Sequence, residues 1–375
     1  MSLIDREKCS GCTACANICP KHCIQMLPDK EGILYPEIEK SQCIECKLCE
    51  KVCPVDKTIK NVPLDTYAVK NKNDDIRKRS TSGAMFSVLA MYVLEKKGVV
   101  FGCKFNDELE AEHYFAENYE ELEQFRGAKY VQSKLNDSFK KVEEFLKQDR
   151  FVLFTGTPCQ VAGLDSYLGK EYEKLIKCDI VCHSVPSPKA LDKYINMLEE
   201  NFTSKAKEVY FRCKDMYGWK KSNIKVVFKN GKKYEECLYN TPFMKGFNRG
   251  LFNRPSCGKC SFKDFKGVSD VTIADYWGIE NVDKEFDDNT GVSLVFINSQ
   301  KGGKILNILK DKIEYIETSV ESAIQKNPFV ITSSPVHKNR KEFFDRLDSE
   351  KFSDLVYELV AEREKIDENR NNNIS

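Results

Sequence analysis

The stretch "FVLFTGTPCQVAGL", Phe151–Leu164, decides the fold class. Its apolar run has the length and composition of a buried strand, breaks at Gly156, and gives way at Pro158 to a helical pattern, with Cys159 at the turn. The same alternation extends to both sides. "TYAVKN" and "VVFGCKFN" read as strands around the helical "GAMFSVLAMYVLEKKG". "EAEHYFAE" pairs with the second of them, and the helices "YEELEQF" and "NDSFKKVEEFLKQD" follow. Downstream, "LIKCDIVCHS" is a strand and "SPKALDKYINMLEENF" a helix with Pro188 in its first turn. Strand–helix alternation of this kind predicts an α/β domain. From Glu208 the pattern turns to strands, with a hairpin at Asn230–Gly231, and after Gly303 it closes in amphipathic helices. The tail "DENRNNNIS" reads as a frayed end.

The chain has 375 residues, with 59 Lys and Arg against 58 Asp and Glu, so its net charge of +1 gives no field for nucleic acid. No run approaches the roughly 18 apolar residues of a membrane span, and "MSLIDREKCSGC" has no signal-peptide core. A cytoplasmic protein is expected. In a reducing cytosol its 17 cysteines are unlikely disulfides, so metal ligation is their leading explanation.

Nine of the cysteines precede residue 60. "CSGCTACANICP" at Cys9–Pro20 recurs as "CIECKLCEKVCP" at Cys43–Pro54, each cysteine displaced by 34 residues. This duplicated C-x-x-C-x-x-C-x-x-x-C-P places three thiolates of one loop on one 4Fe-4S cube and sends the fourth to the other. The crossed sets are Cys9, Cys12, Cys15 and Cys53, and Cys43, Cys46, Cys49 and Cys19. A pair of zinc knuckles fits the three-cysteine loop poorly. Cys23 is left over and reads as apolar packing. The segment resembles a bacterial-type two-cluster ferredoxin, and a polar linker, Val55–Asp65, follows it.

Beyond the linker only Cys257 and Cys260 form a C-x-x-C, which is half a metal site. Cys159 and Cys182 each follow an apolar strand, and strand ends gather at one sheet edge, so these two are candidates for the other half. Cys178, inside its strand, reads as core. Three other readings stay open on spacing alone: Cys159 as a helix-start redox nucleophile, Cys182 paired with His183, and a zinc site of the same four cysteines. Separately, "IRKRSTSGAMFSVL" sets Arg77, Lys78 and Arg79 before Ser80, Thr81, Ser82 and Gly83 at a helix start. That arrangement suits a pyrophosphate, although a capped helix with a solvated basic approach has the same appearance.

"TGTPCQVAGL", "DIVCHSVPSP", "CGKC" and "SDVTIADYWG", in that order, resemble the beta subunit family of coenzyme F420 hydrogenase and dehydrogenase, including its ferredoxin-fused members. The resemblance spans Tyr67 to about Arg346. It implies an FAD-containing α/β domain with one 4Fe-4S cluster near the flavin, held by Cys159, Cys182, Cys257 and Cys260. It also implies flavin contacts at Ser80–Gly83, at Lys129, Tyr130, Gln132 and Ser133 of "FRGAKYVQS", and at Thr155, Gly156 and Thr157. Ala84 stands where the family has a second glycine, which is expected to shift that loop slightly. Ala128 replaces a family serine and Ser184 a glycine. "ADYWG" resembles the family's "GDFWG", with core packing the default for Asp275 and Trp277.

The expected architecture is an α+β ferredoxin-like domain at 1–57 followed by an α/β flavin- and iron–sulfur-binding domain at 65–375. Within the latter, a strand-rich part lies at about 208–300 and a helical C-terminus at 302–365. The expected function is an iron–sulfur flavoprotein oxidoreductase with three 4Fe-4S clusters and FAD, acting on a coenzyme such as F420 or another organic substrate. Its partners would be a ferredoxin-type protein or a redox coenzyme, and an oligomer is compatible with it. The alternatives are a non-catalytic electron-transfer subunit of a larger redox or polysaccharide-pathway complex, and a thiol/disulfide reductase using Cys159 or Cys103.

Overall fold

The computed structural model describes residues 3–371, with side chains to residue 361. Two short strands, β1 (Ile24–Pro28) and β2 (Leu34–Ile38), form an antiparallel hairpin between the cysteine loops. The 34-residue duplication reappears in the backbone. Gly11 and Glu45 are left-handed at φ 72° and 54°, as are Thr13 and Lys47 at 62° and 61°, and each loop then enters a short helix, Ala14–Ile18 or Leu48–Lys51. Three of these four residues are not glycine and adopt a conformation that costs about 1–2 kcal/mol each. The conformation turns successive N–H groups inward, and the Glu45 N–H donates to Cys43 Sγ at 3.4 Å.

The larger part is built on an eight-stranded sheet. Its strands are β3 (Asp65–Asn71), β4 (Val99–Phe105), β5 (Ala111–Ala116), β6 (Val152–Gly156) and β7 (Leu175–Ile180). A separate three-stranded sheet holds β8 (Ala206–Cys213), β9 (Asn223–Phe228) and β10 (Lys233–Cys237). The chain then returns to the main sheet with β11 (Val271–Asp275), β12 (Ser293–Ile297) and β13 (Ile313–Thr318), giving the order β13-β3-β12-β11-β7-β6-β4-β5. The central strands β4, β6, β7 and β11 are parallel, so their C-terminal ends share one edge. Helices Met85–Glu95 and Gln300–Leu309 cover one face, and Ser138–Lys147 and Pro158–Leu168 the other. Burial on both sides explains why β6 reads as a continuous apolar run. No helix among the described residues is long and apolar enough to cross a membrane.

Two differences from the sequence reading concern the strand-rich part and the C-terminus. The strands at about 208–300 divide between two sheets, because β11 and β12 pair with β7 and β3 and not with the hairpin β9–β10. Nor is the region beyond 302 helical throughout. The helix begins at Gln300, where the Ser299 hydroxyl accepts from the Gly302 N–H, and β13 follows it. β13 is a partly exposed edge strand defined by six residues of pairing with β3, which no local pattern announces. The helix Phe352–Asn371 runs into the tail that reads as frayed, and residues 372–375 lie outside the described residues.

The N-terminal unit is packed onto the larger part. Cys12 lies against Gly163 on the helix Pro158–Leu168, where a Cβ would stand 2.9 Å from Cys12 Cβ and 3.1 Å from its Sγ. Gln132 accepts from the Leu34 N–H at 2.9 Å, and Arg340 forks onto Glu31 at 3.1 and 2.5 Å. The linker is fastened too: the Asn61 N–H donates to Phe265 O, the Thr58 hydroxyl to Ser261 O, and Lys60 pairs with Asp264.

Two outcomes follow. Gly163→Val should push the Cys9–Cys15 loop off its helix at a cost of about 1–3 kcal/mol. Hydrogen exchange would show this as faster exchange over residues 9–19 while β9–β10 is unchanged. Ala84 has a left-handed backbone (φ 69°). Ala84→Gly should therefore raise stability by about 1 kcal/mol, read as a higher urea midpoint.

Candidate functional site

The C-terminal ends of β6 and β7, and the loop before β11, bring together Cys159, Cys182, Cys257 and Cys260. The helix Pro158–Leu168 starts with a capping box in which Thr157 and Gln160 satisfy each other's backbone N–H groups, and this fixes Cys159 at the helix start. The charge of each thiolate would oppose that of its neighbours: Cys257 and Cys260 both disfavour ionisation of Cys159, and Cys257, Cys159 and Cys260 that of Cys182. Burial is the larger cause, pushing the Cys159 thiol up to about 12 and the Cys257 thiol up to about 11. A redox nucleophile needs the opposite shift. Cys103 is likewise pushed up to about 11 by burial. His183 does not face Cys182 as a base; its ring packs on Phe247 and Phe329 and its Nδ1 pairs with Ser184 Oγ at 3.0 Å.

The N-terminal cysteines lie in two adjoining groups. Burial, and then the neighbouring Cys9, Cys53 and Cys49, raise Cys15 to about 12; burial also raises Cys12, whose neighbours are Cys15, Cys159 and Cys53. Cys9, Cys12, Cys15 and Cys53 are therefore one group, with Cys159 beside it. At the other loop Cys19, Cys43 and Cys49 pack together with Cys23, which is 4% exposed and lies 3.4 Å, sulfur to sulfur, from Cys19. Cys46 is on the surface.

Among the described residues no three His, Cys, Asp or Glu side chains converge on a single ion. Thiolates that each cap a different iron of a cube stand further apart than the ligands of one zinc. The donor set is all cysteine, and N–H groups of Ala14, Ala16, Glu50, Val55 and Val185 face the sulfurs of Cys12, Cys15, Cys49, Cys53 and Cys257. Sulfur ligands with backbone donors around them fit iron–sulfur clusters.

The expected flavin contacts lie along the same strand edge, in two groups. Thr155 and Ser133 are joined through buried His113, whose Nε2 lies 3.1 Å from Thr155 O and whose Nδ1 lies 3.0 Å from Ser133 Oγ. Gln160 donates to Ser133 at 2.9 Å and accepts from the Thr157 N–H, so Thr155, Gly156, Thr157 and Ser133 form one network. Tyr130 packs edge-on to Phe211 and lies beside Arg212. The Lys129 amine is enclosed by the carbonyls of Gln124, Arg126 and Gly127 at 2.8–3.3 Å, and burial lowers it to about 8. The Gln132 side chain accepts from the N-terminal hairpin.

The loop Ser80–Gly83 is less of an anion cradle than its sequence suggests. Arg77 is buried against Asp288 and Gly291 O, and Arg79 pairs with Glu123. The Ser80 and Ser82 hydroxyls donate to Ile76 O and Val292 O, and Gly83 is pressed on Val69 O, leaving Thr81 partly exposed. Lys214 also reaches this loop: it donates to Arg77 O and Ser82 O at 2.9 Å and is lowered to about 7 by burial.

Asp275 and Trp277 have defined partners in addition to packing. A register shift in β8 leaves Arg212 left-handed (φ 61°) and aims it at Asp275, at 2.6 and 3.1 Å. Bulges re-aim side chains in this way. Trp219 Nε1 donates to the same carboxylate at 2.6 Å, and its ring stacks on Trp277 at 4.8 Å. In a regular strand Arg212 would have pointed elsewhere, so sequence reasoning passed over it.

His113 gives the site a pH signature. Burial lowers its imidazole to about 4, against about 6.5 in an unfolded chain. Between these values only the unfolded chain takes up the proton, so stability present above pH 6.5 is lost as pH falls towards 4, on the order of 3 kcal/mol in all. His113→Gln should flatten the fall of the urea midpoint between pH 7 and 5.

No curated protein matches the sequence. The family "Coenzyme F420 hydrogenase/dehydrogenase, beta subunit N-term" matches residues 66–140, and its C-terminal counterpart matches residues 149–322. A "4Fe-4S dicluster domain" matches residues 8–57. Among solved structures, a chain of the F420-reducing NiFe hydrogenase complex from Methanosarcina barkeri is similar in fold, with a TM-score of 0.50 and 16% identity over 77% of this chain and 91% of that one. With both halves of one family matched in order behind a 4Fe-4S domain, the chain belongs to the coenzyme F420 hydrogenase/dehydrogenase beta subunit family.

Proposed function

We propose that the chain is an iron–sulfur flavoprotein oxidoreductase that passes single electrons between a surface cluster and a flavin through three 4Fe-4S centres. The observation that carries this reading is the contact of Cys12 with Gly163, one helical turn beyond Cys159. It sets the Cys9–Cys15 group against the group of Cys159, Cys182, Cys257 and Cys260. Electrons would enter or leave at the Cys43–Cys49 loop, where Cys46, Ile44 and Leu48 are exposed to a ferredoxin-type partner. At the far end, Thr155–Thr157, Ser133, Tyr130 and Ser80–Gly83 would hold FAD. A bound flavin supplies the exchange between one- and two-electron steps that the cubes lack. Lys214 lies beside this loop and Arg212 is held by Asp275 next to Tyr130, and the buried, neutral His113 would fix the loops around the flavin. The substrate is a coenzyme of the F420 kind or another organic molecule that exchanges a hydride.

Cofactor content tests this directly. Protein purified without oxygen should hold about 12 iron atoms and one FAD per chain, and Cys159→Ser about eight iron atoms. About eight in the unaltered protein would remove the third cluster from the proposal. Bleaching of the flavin by reduced ferredoxin, NAD(P)H or reduced F420, and its recovery with an acceptor, would establish an enzyme; reduction with no small-molecule acceptor would establish an electron-transfer subunit.

A further inference from the structure

Arg254 is 1% exposed, and no ion pair among the described residues includes it. A buried charge without a counter-charge costs several kcal/mol, so something absent from the protein's own side chains must balance it. Its surroundings identify what that is. Nε donates to Cys9 O at 2.6 Å, Nη1 donates to Leu34 O at 3.0 Å, and the guanidinium lies over the Tyr35 ring at 4.3 Å. A Cβ on Gly11, between Cys9 and Cys12, would stand 2.7 Å from Nη1, while Nη2 has no protein partner. On its other side the Arg254 carbonyl accepts from the Cys257 N–H at 3.1 Å and its N–H donates to Val185 O. The guanidinium thus sits inside the first cysteine loop while its backbone carries the third group.

We propose that Arg254 is a positioning residue that supplies the counter-charge for electrons at the junction between the first and third cysteine groups, raising the reduction potential there. Four thiolates around an iron–sulfur core leave net negative charge, which grows by one on reduction, and net charge is a principal determinant of cluster potential. A fixed cation beside the loop that would hold the cluster stabilises the reduced form more than the oxidised one. The inference rests on the proposed relay but requires only the cluster of the Cys9 loop, which belongs to the 4Fe-4S dicluster domain.

The test is a redox titration of the full-length protein followed by electron paramagnetic resonance, with iron counted in each sample. Arg254→Gln is expected to make the Cys9-loop cluster harder to reduce by about tenfold, equal to about 59 mV for one electron, and to leave the Cys43-loop cluster unmoved. Arg254→Lys, which keeps the charge without the fork, should restore most of the shift. An unchanged potential in iron-replete Arg254→Gln would overturn the proposal. So would loss of iron from both variants, which would make Arg254 a docking residue alone. Absence of a third cluster from the unaltered protein would count against the relay and not against this shift.

Discussion

The contact of Cys12 with Gly163 is the constraint on which the rest of the arrangement depends. A helix can accept a cysteine loop at this distance only where it has no side chain, and Gly163 lies four residues after Cys159, on the same face. Once that loop is seated, the hairpin β1–β2 falls beside Gln132 and Arg340, and Arg254 reaches between Cys9 and Leu34. The N-terminal unit is docked by specific bonds and is not tethered only by the segment Val55–Asp65. Proximity of two cysteine groups is thereby a property of the fold and does not await a chance encounter.

Several unfavourable local choices support that geometry. Glu45, Thr13, Lys47, Ala84 and Arg212 hold left-handed backbones, and the cation Arg254 is buried without a carboxylate bonded to it. These residues cluster at the cysteine loops and along the strand edge, while the sheet between them is an ordinary apolar core. Strain and buried charge persist at such places because the surrounding packing fixes them.

Much of the site was legible because its signals are local. The spacing of Cys9–Cys19 and Cys43–Cys53 encodes a loop conformation, and the 34-residue repeat in sequence is a repeat in φ. Strand ends at Gly156 and Ile180 could be read from apolar runs, which put Cys159 and Cys182 on one edge. What escaped was set by partners distant in the chain. Arg77 reads as a solvated basic side chain until Asp288 is brought beside it, and the bond from the Leu34 N–H to Gln132 joins residues 98 apart. β13 gains its identity from β3, and Arg212 its direction from a bulge.

The sequence by itself determined the kind of chemistry, since cysteine number and spacing specify thiolate ligation and strand–helix alternation specifies a sheet with one functional edge. Tertiary structure alone decided how the cysteine groups are placed and which charges face them. Those are pair distances between residues as far apart as Cys9 and Arg254, and a pair distance has no representation in a local pattern until packing closes the chain on itself.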